Sequence, residues 1–162
     1  MKFQYILHRA GWATAILSCQ DQTIEMTVSY LHDSLRNLAS AVIALLNGAT
    51  EVSVIFMDEP GEHRLVLRRK DQTTVSLEVR WYEDWYSWGI GSSDFETLLS
   101  GVTRLTHLRG QVLSAMKQIL DEHGEIGYKQ KWCLHEFPME ELRQLQASYR
   151  RSADGFCSEF KL

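Results

Sequence analysis

Between Ile24 and Tyr30 the apolar residues Ile24, Met26, Val28 and Tyr30 interleave one for one with Glu25, Thr27 and Ser29. No helix turns that pattern into one apolar face; it demands a strand with one buried and one wet side. The same period recurs at Thr74 to Trp81, where Val75, Leu77, Val79 and Trp81 face one way and Thr74, Ser76, Glu78 and Arg80 the other. Arg64 to Arg69 precede that run across Asp71-Gln72, so the two read as strands of a meander. Phe3, Tyr5 and Leu7, the Ala10-Gly11 turn and the run Trp12 to Cys19 predict an opening hairpin. Val52 to Met57 is apolar on both faces apart from Ser53, as a central strand under a helix would be, and Glu59-Pro60-Gly61-Glu62 then reverses the chain. Residues 82–93 hold aromatics, glycines and serines and read as a loop; Phe95 to Val102 fits either a short strand or a helix start.

Three helices interrupt or follow the strands. Leu35, Leu38, Val42 and Leu45 recur at helical spacing behind the capping candidates Asp33 and Ser34, with Asn47-Gly48 to close, which predicts a helix over 34–46. Leu105, Leu108, Val112, Met116 and Ile119 form a longer stripe ending at His123-Gly124. Pro138 opens a last helix carrying Leu142, Leu145 and Tyr149. The order predicts one α+β domain over residues 1–151, a mostly antiparallel sheet with helices packed on one face, and a frayed tail over 152–162. With 162 residues, 44% of them hydrophobic, the chain has material for a single core.

Composition then removes function classes. Seventeen Lys and Arg against 21 Asp and Glu leave a formal charge of −4, the wrong sign for a protein whose main partner is nucleic acid. The longest apolar run, Leu38 to Leu46, is far short of a bilayer span and no secretion signal is visible at the N-terminus, so no membrane partner and a cytoplasmic location are expected. Cys19, Cys133 and Cys157 are irregularly spaced, which fits a reducing compartment. Cys133, His135 and Cys157 lack a zinc spacing, and the six histidines fall in no metal pattern. Gly89-Ile90-Gly91-Ser92-Ser93 has neither the Lys nor the spacing of a phosphate loop, and no serine or thiol sits in a nucleophile context. The expectation is a protein without cofactor, metal or catalytic residues.

Two constellations remain. Trp81-Tyr82-Glu83-Asp84-Trp85-Tyr86-Ser87-Trp88 packs aromatics and acids into a strand end and the loop after it, the residue types that anchor protein interfaces and select a basic partner. The expected contact surface is Glu83, Asp84, Trp85, Tyr86, Trp88 and Asp94. Glu59, Glu62 and His63 at the Pro-Gly turn offer an alternative, a carboxylate–histidine enzyme site, which would need a concave pocket there. A third possibility is a small-molecule or peptide-binding module with the aromatic loop as its pocket.

Asp58-Glu59-Pro60-Gly61-Glu62-His63-Arg64, the Trp-Tyr-acidic segment, Gly124-Glu125-Ile126-Gly127-Tyr128, Trp132 and Phe137-Pro138 together resemble a family of small uncharacterised bacterial proteins. Some of these look like the immunity partners encoded beside polymorphic toxins of the contact-dependent inhibition and Rhs types. The resemblance covers about residues 3 to 150 and implies a non-enzymatic inhibitor of one cognate, basic toxin. Such an inhibitor gains encounter rate from opposite charge. It must bind at nanomolar or better, roughly 12 kcal/mol.

Overall fold

The computed structural model describes residues 1–157, with side chains through Ser148. The described chain is α+β with every strand pairing antiparallel, as expected, but the strands divide between two sheets rather than one. The first is β1 (Lys2–Leu7), β2 (Trp12–Cys19) and β3 (Gln22–Ser29) in that order. Helix α1 (Ser34–Leu46) leads to the second, β4 (Glu51–Met57), β5 (Glu62–Arg69), β6 (Thr74–Tyr82) and β7 (Glu96–Arg104), again in chain order. Helices α2 (Leu105–Trp132) and α3 (Met139–Cys157) follow.

Tight turns make the neighbours antiparallel. Ala10 and Gly11 both adopt positive φ (54° and 79°), the twist that suits a two-residue hairpin. Gly11 must be glycine for a second reason, since a Cβ there would lie 2.3 Å from the Tyr30 ring. The alternation then does the rest: Phe3, Tyr5 and Leu7 pair with Leu17, Ala15 and Ala13, and all six are buried. Helix α1 packs against β4 and α2 against β1, and the helices contribute Leu35, Leu38, Val42, Leu108, Val112 and Met116 to one continuous core with Leu65, Leu67, Leu77 and Val79 of the second sheet.

Several expectations need correction, and one open alternative, strand or helix over 95–102, is settled. β4 is not central: it is the edge of the four-stranded sheet, hydrogen-bonded only to β5, and its apolar character is explained by α1 packing against it. Phe95 to Val102 resolves as strand β7, whose register against β6 slips between Val79 and Arg80. Helical structure also does not stop at His123-Gly124. The chain breaks there, with Gly124 at φ 62° and ψ 176°, and resumes helical turns to Trp132, which carry Tyr128 and Trp132 into the core with no exposure. The α1 start differs too, because neither Asp33 nor Ser34 makes a side-chain cap. Asp33 instead accepts from Arg36 at 2.9 Å, and Arg36 reaches Glu141 at 3.2 Å, tying α1 to α3. Of the expected tail, 152–157 continues the α3 backbone and 158–162 lies outside the described residues.

No helix among the described residues is long and apolar enough to cross a membrane.

The sheets close on each other where Gly101 of β7 meets Cys19 of β2. A Cβ at 101 would stand 2.4 Å from Cys19 Sγ. Gly101→Ala is expected to cost about 1–3 kcal/mol by overpacking. Adding Cys19→Ala should return part of that loss, so that urea unfolding of the double variant shows less than the sum of the two single costs.

Candidate functional site

The two constellations that the sequence keeps apart meet at one end of the second sheet. Asp58 to Gly61 turn β4 into β5, closed by the Asp58 N–H donating to the Gly61 carbonyl at 2.9 Å. Gly61 has φ 93°, and a Cβ there would lie 2.4 Å from the Trp81 ring. The loop after β6 folds against this turn. The Trp85 indole N–H donates to the Asp58 carbonyl at 2.8 Å. Ser87, inside the single 3₁₀ turn Tyr86–Trp88, donates both its N–H (3.1 Å) and its hydroxyl (2.5 Å) to Glu62 Oε2. The other oxygen of Glu62 accepts from Arg64 at 3.0 Å. Glu62 is fully buried, so these bonds are what make its charge tolerable.

Aromatic rings complete the clamp. Tyr86 stacks on Tyr82, 5.0 Å between ring centres and 5° from parallel. The Arg64 guanidinium lies 5.2 Å from the Tyr82 ring and 5.1 Å from the Tyr86 ring. At the far end of the loop Phe95 meets Tyr82, and the Arg80 guanidinium sits 4.2 Å over the Phe95 ring. Arg80 in turn donates to Glu78 at 2.7 Å, Arg68 donates to Glu78 at 3.2 Å, and Arg68 also pairs with Glu51. Hydrogen bonds from Arg80 foremost, with Thr97 and Arg68, hold the Glu78 carboxyl down to about 2.

Beside the clamp a cleft of about 390 Å³ is lined by Trp81, Glu83, Asp84, Ser92, Asp94, Phe95 and Glu96. Gly91, at φ 78°, lets the loop close on Asp84, because a Cβ there would meet that side chain at 2.4 Å. Of the six residues expected at the contact surface, Glu83, Asp84 and Asp94 line this cleft. Trp85, Tyr86 and Trp88 do not; they form the adjoining ridge. Trp85 is half-buried as an anchor, whereas Tyr86 (36% exposed), Trp88 (50%), Ile90 (47%) and Phe95 (45%) present apolar surface to solvent. The sequence reading missed Phe95, Glu96 and Ile90. The first two fall where strand and helix patterns tie, and Ile90 sits among glycines that read only as loop.

Glu59, Glu62 and His63 do not assemble. Successive strand residues point to opposite faces, so Glu62 turns towards the loop and His63 towards Trp81, 4.5 Å between ring centres. Glu59 accepts from the Ser29 hydroxyl, tying the turn to the first sheet rather than pairing with an arginine. The adjoining cleft is lined by none of the three. Among the described residues no group of three or more His, Cys, Asp or Glu side chains is placed to hold a metal ion.

The chain matches no protein-family model, no curated protein and no solved structure.

Two changes test the clamp. Glu62→Gln keeps the shape but removes the charge that meets Arg64 and Ser87; urea unfolding should show a loss of about 2 kcal/mol, with proteolytic cleavage appearing first inside residues 83–95. His63 supplies an acid sensitivity. Burial holds its imidazole down to about 4 against an ordinary 6.5. As pH falls through that window the unfolded chain takes a proton that the folded chain refuses, so stability present above 6.5 is lost towards 4. Unfolding free energies from urea at about pH 7 and about pH 5 should differ by at least about 2 kcal/mol in the native protein, His32 adding to the loss because burial lowers its imidazole too, and the difference should shrink in His63→Phe.

Proposed function

We propose that this is a non-enzymatic binding protein of the immunity type, which acts in the cytosol and neutralises one basic protein toxin by covering its active site or substrate path. The observation that carries the reading is the thirteen-residue loop between β6 and β7: four large apolar side chains stand exposed on a segment that is nevertheless pinned at Trp85, Tyr86, Ser87 and Phe95. Scattered exposed apolar residues are ordinary, but a contiguous set is a hallmark of a binding surface. Pinning matters because binding costs whatever order it must impose, and a loop already ordered leaves more of the contact energy as affinity.

Charge supports a basic partner. Glu83, Asp84, Asp94 and Glu96 lie together beside the ridge, and a negative cleft speeds encounter with a positive surface and rejects a negative one. Toxins that act on nucleic acid carry such positive surfaces, since they must hold phosphates.

Co-expression with the product of the gene immediately beside this one in its native locus tests the proposal, scored by growth and by co-purification of a stable complex. A neighbour that is harmless alone and does not co-purify would remove it. Within a complex, Trp88→Ala with Ile90→Ala is expected to weaken binding at least about tenfold. Both side chains are exposed, so the unfolding free energy of the free protein should stay within about 0.5 kcal/mol of native.

A further inference from the structure

The geometry points to the cleft between the end of β6 and the start of β7 as the seat of an arginine side chain from the partner, with Trp81 and Phe95 as its aromatic lining and Glu83, Asp84, Asp94 and Glu96 as counter-charges. The inference rests on the protein-binding reading above and deepens it by naming what the partner inserts.

The first observation is a contrast in charge. On the neighbouring strands each carboxylate has an arginine: Glu62 has Arg64, Glu78 has Arg80 and Arg68, and Glu51 has Arg68. In the cleft four carboxylates line one concavity, and among the described residues none has an ion-pair partner. Like charges gathered in a cleft repel, and a cation set among them relieves that repulsion.

The second observation is independent of the first. The same loop already holds two guanidinium groups, and it holds both in one way, with an aromatic ring on the flat side and a carboxylate at the edge. Arg64 lies against Tyr82 and Tyr86 with Glu62 at 3.0 Å. Arg80 lies over Phe95 with Glu78 at 2.7 Å. Phe95 belongs both to that second unit and to the cleft wall. The cleft repeats the ring and carboxylate parts, and the arginine is what a partner supplies.

Arginine suits the site better than lysine, because a planar delocalised cation stacks on rings while still donating along its edge to several carboxylates. A metal ion suits it poorly, since the carboxylates do not converge as ligands must. A protein-borne cation also explains the ridge: Trp88 and Ile90 would cover the backbone that flanks the inserted side chain, a contact a free metabolite would leave unmade.

The test is an NMR titration of the full chain, following the tryptophan indole N–H groups and the backbone amides. Three blocked tripeptides serve as probes: N-acetyl-Gly-Arg-Gly-amide, its lysine counterpart, and its citrulline counterpart, which keeps the shape of arginine without the charge. The arginine peptide is expected to shift the Trp81 indole and the amides of residues 94–96 saturably, with the lysine peptide at least about threefold weaker and the citrulline peptide giving no saturable shift. Asp84→Asn with Asp94→Asn should weaken the arginine peptide at least about tenfold at an unchanged urea midpoint; if that pair perturbs folding, Glu83→Gln with Glu96→Gln takes its place. Equal responses to the three peptides, shifts confined to other residues, or full affinity in the folded variants would overturn the assignment. A tight complex with the neighbouring gene's product that is indifferent to Asp84→Asn with Asp94→Asn would keep the binding reading and remove the arginine seat. Saturable arginine binding with no protein complex would keep the seat and remove the binding reading.

Discussion

Glu62 has no contact with water, so its charge must be met from within the protein. It is met from two directions, by Arg64 two residues along the same strand and by Ser87 in the loop 25 residues later. That division makes one carboxylate the hinge of the whole site. Through Arg64 it sets the guanidinium on which Tyr82 and Tyr86 rest, and through Ser87 it fixes the 3₁₀ turn that points Trp88 outwards. A buried ion pair adds little net stability compared with apolar residues of the same shape, yet losing one member is costly. The arrangement is therefore better understood as a device for holding one loop geometry than as a source of stability.

The second sheet carries its charges in two regimes. Along its outer face Glu51, Arg68, Glu78 and Arg80 alternate in sign and saturate one another, and Thr97 completes the set at Glu78. Exposed pairs of this kind contribute little energy each; their effect is to make that face electrically quiet. A few residues further on, the cleft gathers four acids, none of which has an ion-pair partner among the described residues. The contrast lies within one sheet and at one end of it, so a general acidic bias of the composition does not account for it. The −4 net charge of the chain is small enough that the local field, not the total, decides which partner is steered there.

Most of the framework was legible because it rests on local patterns. The period-two runs at Ile24 and Val75, the two-residue turns and the helical stripe at Leu35 each appear where they were expected, with boundaries within a residue or two. What was not legible depends on contacts distant in sequence. Nothing in the apolar run Val52 to Met57 says whether a second strand or a helix covers it, so an edge strand beneath α1 looks like a central one. Gly124 looks like a helix stop because a single residue at positive φ ends the pattern, while the turns that bury Tyr128 and Trp132 lie beyond it. At the site, the acids and aromatics of 81–94 stand out by composition alone, but their sorting into anchor, ridge and cleft needs Asp58 and Glu62, which the sequence places in a different motif. Even the period of two held a warning unused at the Pro-Gly turn: Glu62 and His63 are adjacent on a strand, so they face apart.

The β-bulge explains why the cleft sits where it does. Val79 opposes Leu99 but Arg80 opposes Thr97, so β7 spends one residue, Leu98, without a counterpart. Such an insertion bends a strand and changes which way the residues beyond it point. In β7 the residues on that side are Glu96 and Thr97, the first a wall of the cleft across from Trp81 and the second a donor to Glu78. Without the slip, the residues before it would keep the alternation set by Leu99, and Glu96 and Thr97 would exchange faces. The same single residue therefore directs Thr97 to the saturated charge ladder and Glu96 to the unsaturated cleft, which is how one strand serves both regimes.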